Sequence, residues 1–130
     1  MSIIEGTIGR KVVLVMEKVY YYRYTTNPEL IKEFGDNFFV QEYEIEEEFD
    51  NEVYVKDYDY VRKESIGNVD DVLNESFHGK IDYTWFSYKN DKETMNEFKN
   101  EVRHRLLEGY IKLVEEANDL LKLLLKTFDE

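Results

Sequence analysis

The sequence predicts an α+β fold. An antiparallel sheet of about four strands occupies residues 7–88, and a long C-terminal helical region follows over 91–128, in a single domain spanning 1–130. Three observations lead there. β-branched and aromatic residues crowd the first two-thirds of the chain in runs separated by turn residues. From Met95 to Phe128 apolar residues recur at steps of three and four. With 42% apolar and 15% aromatic content, 130 residues suffice for one core without disulfides, and cysteine is absent.

Residues 11–26, KVVLVMEKVYYYRYTT, contain neither Gly nor Pro and read as one long strand bent near Glu17. Both of its faces carry apolar side chains, which is the pattern of a central strand. Asn27-Pro28 supplies an N-cap and an N1 proline and Gly35 a stop, so one or two helical turns lie between. Residues 38–49 read as the second strand, with Tyr43, Ile45 and Phe49 on one face. Asp50-Asn51 is a turn, and residues 52–63 form a third strand paired with the second as a hairpin. Asn68 caps a short helix running through Phe77 to Gly79, and residues 80–88 form the fourth strand. Asn90 and Glu93 have the spacing of a capping box at the start of the long helix.

Unbroken, a helix over 91–128 would run roughly 57 Å at 1.5 Å per residue. A domain of this length has a radius of gyration of only about 14 Å. The helix therefore either breaks, with Gly109 the favoured place, or projects and packs against another chain. Its last turns, rich in leucine from Leu120 to Leu125, present an apolar arc wider than the roughly 100° stripe that one sheet covers. The expectation is a homo-oligomer formed through this helix.

Lys plus Arg number 17 and Asp plus Glu 29, a net charge of −12. Such a chain does not hold bare nucleic acid by phosphate neutralisation, and an anionic membrane surface repels it. Residues 42–59 contain nine acids and one lysine. On a regular strand Glu42, Glu44, Glu46 and Glu48 share one face, about 6.8 Å apart per two-residue step. That is too wide for one Mg²⁺ or Ca²⁺ to bridge neighbours at metal–oxygen distances of about 2.0 to 2.6 Å, so no metal site is expected. The face either discourages edge pairing or imitates the phosphates of nucleic acid.

Catalytic motifs are not readable. His78 and His104 stand in no metal spacing, and no nucleophile elbow or Gly-rich phosphate loop is present. Neither an enzyme nor a bound cofactor is expected. The rarer cations carry more information: Arg23 among tyrosines, Arg62 and Lys63 at the end of the third strand, and Arg103 and Arg105 on the helix. The last two lie about 200° apart around the axis and cannot face the same way. With Phe77, Trp85 or nearby Tyr rings, some of these could hold an anionic aromatic ligand, since Arg forks onto phosphate and rings stack on a base. The absence of cysteine fits a reducing cytoplasm, and no signal peptide is readable at the N-terminus.

Taken together, KVVLVMEKVYYYRY, YVRKESIG (residues 60–67) and SYKNDKETMNEF leading into the Leu-rich helix resemble small counter-defence proteins of phages. Two groups are relevant: anti-Thoeris sponges, which are oligomers sequestering cyclic ADP-ribose-type signals uncut, and acidic anti-CRISPR proteins, some of which mimic DNA. The size and the sheet-then-helix order are more similar to the first group. The resemblance implies capture of a cyclic nucleotide without catalysis in the host cytoplasm. The alternative it implies is an acidic inhibitor that covers the nucleic-acid-binding surface of a basic host effector through Glu42, Glu44, Glu46 and Glu48.

Overall fold

Glu17 divides the apolar run 11–26 between two sheets. The structure, a computed structural model, describes residues 3–8, 11–76 and 78–128, with side chains from Glu17 onward. Ile3–Ile8 (β1), which the sequence reading did not single out, pairs antiparallel with Lys11–Met16 (β2) in a two-stranded ribbon. Beyond Glu17, Lys18–Thr25 (β3) becomes one of the inner strands of a six-stranded sheet, so the anticipated bend is a change of sheet. Asn27 caps Pro28–Phe34 (α1) by accepting the Glu29 N–H at 3.1 Å, and Gly35 closes it at φ 80. Only a residue without Cβ takes that left-handed position cheaply.

Phe38–Glu48 (β4) runs antiparallel to β3, with Tyr22 opposite Val40 and Val19 opposite Tyr43. The third strand anticipated over 52–63 is instead two, Glu52–Val55 (β5) and Tyr60–Arg62 (β6). A tight turn separates them: Asp57 takes φ 63, and the Val55 N–H donates to the Asp59 carbonyl at 3.0 Å. Asp tolerates the left-handed region better than most residues. The helix anticipated from Asn68 through Phe77 is a single 3₁₀ turn, Val69–Asp71, which Asn68 caps through the Asp70 N–H. It stops because Leu73–Asn74 (β7) pairs with Asp82–Ser87 (β8), a ladder the backbone cannot join while helical. Phe77 lies outside the described residues.

The sheet order is β6-β5-β4-β3-β8-β7, all neighbours antiparallel. Its two faces carry separate cores. On one, the sheet curls so that Val53 and Val55 meet Val19, Tyr21, Ile45 and Phe86, with Ile66 beside them. On the other, Tyr22, Tyr83 and Trp85 pack against Phe98 and Val102 of Lys92–Phe128 (α2). The Tyr22 hydroxyl donates to the Lys89 carbonyl at 2.7 Å, tying β3 to the approach of α2.

Asp91 caps α2, accepting the Thr94 N–H at 2.7 Å, one residue later than the Asn90–Glu93 spacing indicated. The helix then runs 37 residues without interruption, about 55 Å. Gly109 does not break it, and a Cβ built there meets nothing within 4 Å. Of the helix's own residues only Thr94, Phe98 and Val102 are buried. From Leu107 to Phe128 every residue is exposed.

Candidate ligand groove and exposed helix

The cations singled out in sequence do not converge on one place. Arg23 lies between aromatic rings, its guanidinium carbon 5.7 Å from the Tyr21 centroid and 5.5 Å from that of Phe39. Asp82 stands 4.0 Å away. Arg62 pairs with Glu64 at 2.9 Å, and Lys63 with Glu48 at 2.8 Å. Arg62 also lines a recess of about 360 Å³ with Tyr58, Tyr60, Ser65, Asp71 and Phe86.

Trp85 is 3% exposed, its indole stacked on Phe98 and its N–H donating to the Asn68 carbonyl at 3.0 Å. Most of its ring is spent on the core, and the small part that shows lines the same recess as Arg62. Arg105 is bound to the protein itself. It pairs with Glu101 at 2.9 Å and donates to the carbonyls of Val72 and Asp70, so its fork holds the 3₁₀ turn against α2. Arg103, two residues away, points elsewhere, as the helical angle requires.

Arg103 opens onto a groove of about 620 Å³ between α2 and the sheet, lined by Tyr24, Phe38, Asn96, Lys99, Asn100, Val102, Arg103 and Leu106. The two rings lie 4.7 Å apart between centroids, and the Lys99 ammonium sits 5.3 Å over Phe38. Among the described residues no carboxylate lines the groove. Among the described residues neither Lys99 nor Arg103 has an ion-pair partner. The volume falls in the range of small-molecule sites. Two cations, two primary amides and two half-buried rings suit a flat anionic ligand: rings for stacking, cations for phosphate, amides for base edges. Of this set the sequence singles out only Arg103. The usable signal was the spacing 96, 99, 100, 103, which puts four polar side chains on one helix face.

The acidic strand is less regular than its sequence. A bulge at Glu46 shifts the register, with Ile45 opposite Val55 but Glu47 opposite Tyr54 and Glu48 opposite Val53. Parity therefore changes along β4. Glu42, Glu44 and Glu47 share one face, Glu48 turns to the face of Ile45 and Val53, and Glu46 occupies the bulge. The single row of Glu42, Glu44, Glu46 and Glu48 anticipated for a regular strand does not form, because the bulge adds one residue. Glu42 is further engaged by Lys18 at 3.4 Å.

Burial raises the ionisation of Tyr21, Tyr22, Tyr58 and Tyr88 above the ordinary tyrosine value by desolvating the phenolate. Hydrogen bonding from the Thr94 side chain and N–H holds the Asp91 carboxyl below its ordinary value. Among the described residues no cluster of three His, Asp or Glu forms a metal cage, and no helix is long and apolar enough to cross a membrane. Compared with protein-family models, curated proteins and solved structures, the chain matches none of them.

Proposed function

We propose that this chain is a non-enzymatic binding protein that captures a small anionic aromatic ligand of the cyclic nucleotide class and assembles through α2. This is the behaviour of a viral counter-defence sponge working in the host cytoplasm. The observation that carries the reading is the groove: in a chain of net charge −12, Lys99 and Arg103 stand beside Tyr24 and Phe38 without a carboxylate partner among the described residues.

Thermal shift against a nucleotide panel including cyclic ADP-ribose tests it. A ligand that binds only the native state stabilises by RT ln(1 + [L]/Kd), about 2.7 kcal/mol at a hundredfold excess over Kd. Heating the complex should release the ligand unchanged; a hydrolysed product would establish an enzyme instead. Lys99→Ala with Arg103→Ala should abolish the shift while leaving the melting temperature of the free protein within a degree or two, since both side chains are exposed. The competing proposal is an acidic inhibitor of a basic effector. It gains if no nucleotide shifts the protein and Glu44→Lys with Glu46→Lys removes activity from a folded chain.

A further inference from the structure

The groove and the exposed part of α2 lie on one face of the helix. At about 100° per residue, Asn96, Lys99, Asn100 and Arg103 point the same way as Leu107, Tyr110, Val114 and Leu121, while Phe98 and Val102 point more than a third of a turn aside, into the chain's own sheet. This shared face is polar up to Arg103 and mostly apolar from Leu107 onward, with Asn118 as its polar interruption. Eleven large apolar side chains between Leu107 and Phe128 are 49–83% exposed. Eight of them lie within about 70° of this face and offer roughly 900 Å² per chain, comparable with the ~800 Å² per partner of a standard interface.

We propose that the occupant of this face is a second copy of the same chain, packed antiparallel, and that its Phe128 end walls the groove. This rests on the groove reading above for the ligand, though not for the pairing. Two observations set the direction. A parallel pair would stack Lys99 and Arg103 against their own copies, placing like charges together, whereas an antiparallel pair centred near Ala117 keeps them at opposite ends. The apolar arc also widens towards the C-terminus. Between Leu107 and Asp119 polar residues and Gly109 hold about half the positions, but from Leu120 to Phe128 only Lys122, Lys126 and Thr127 are polar. Those last turns need cover on more than one side. In the antiparallel pair they lie beside the partner's helix, and Phe128, level with the partner's Leu106, reaches the edge of its sheet near the partner's Tyr24 and the partner's Phe38. In a parallel pair they would lie far from either sheet.

The chain has no cysteine, so single substitutions report geometry cleanly. Light scattering on the unliganded chain should give a dimer mass, and a monomer at all concentrations overturns the proposal. Ile111→Cys mixed with Leu125→Cys and treated with a short bismaleimide should give a mixed cross-link and almost no self-links. The like positions of an antiparallel pair are roughly 21 Å apart along the axis. Self-links without mixed links overturn it. With cyclic ADP-ribose as probe, Phe128→Ala should weaken binding about tenfold while leaving the dimer mass unchanged; full binding by that variant denies the wall. If the wild-type chain binds no nucleotide, the ligand reading falls, and the mass and the cross-links still decide the pairing.

Discussion

Arg103 and Arg105 occupy neighbouring positions with opposite assignments, and substitution should separate them. Arg105 spends its guanidinium on Glu101 and on the carbonyls of Val72 and Asp70. Hydrogen bonds from a charged group contribute about 1.5–3 kcal/mol each, and the carbonyls left behind carry a desolvation cost. Arg105→Ala should therefore lower stability by about 2 kcal/mol in urea unfolding. Arg103→Ala should change it by under about 0.5 kcal/mol, as surface sites do. The sequence showed that the two must diverge but not which one turned inward. That depends on the Val69–Asp71 turn, whose carbonyls no periodicity reveals. Trp85 shows the same limit from the other side, because an aromatic residue flagged as a stacking platform is held in the core by Phe98 and Asn68. The buried phenols make a pH prediction. Their folded-state ionisation lies above the unfolded value, so the stability tied to the neutral form is complete below about pH 10. It is lost as pH rises through the raised values. Tyrosinate absorbance should show a late-titrating group that includes Tyr21 and Tyr22, with unfolding accelerating above pH 10; uniform titration of all tyrosines at the ordinary value would contradict the burial.

Elements whose signals are local were legible, and elements whose signals are tertiary were not. The caps of α1, Asn27 and Gly35, act within a few residues and were readable as they stand. The three-and-four spacing of α2 was equally plain. The division at Glu17, the hairpin at Asp57 and the bulge at Glu46 were hidden, because each is decided by which strand lies alongside rather than by composition. Gly109 illustrates the point in reverse. Its low helix propensity marked a breaking point, yet one exposed glycine costs only about 1 kcal/mol against Ala, too little to interrupt 37 residues. Gly109→Ala should consequently stabilise the chain by about 0.5–1 kcal/mol, visible as added ellipticity at 222 nm and a higher urea midpoint. A loss of stability would mean that the partner helix approaches that position too closely for a methyl group. At the other end, the depressed Asp91 carboxyl supports α2 only while ionised. That support is present above the ordinary carboxylate range and is lost as pH falls through the lowered value, so Asp91→Asn should flatten the acid limb of the stability curve.

At the scale of the whole molecule, charge and apolar surface act against each other. Each chain carries −12, and two copies pressed together along α2 repel one another through the surrounding solvent. In the proposed dimer the surface that would join them is mostly leucine, valine, isoleucine and aromatic between Leu106 and Phe128, while Glu108, Lys112, Glu115, Asp119, Lys122 and Lys126 project away from it. Attraction is therefore apolar and insensitive to salt, whereas repulsion is electrostatic and screened over a Debye length that shrinks from about 30 Å at 0.01 M to about 8 Å at 0.15 M. Self-association should tighten as sodium chloride rises over that interval, measured by sedimentation equilibrium, and then level off. The opposite trend belongs to a different molecule. If the chain worked by laying its carboxylates into a basic groove on another protein, that complex would weaken steeply with the same salt. Capture of the anionic ligand at Lys99 and Arg103 should weaken only mildly, because the rings supply a salt-independent share of the contact. A dimer that dissociates with added salt would show that ion pairs, and not the leucine-rich face, hold the copies together, and the antiparallel arrangement would lose its basis.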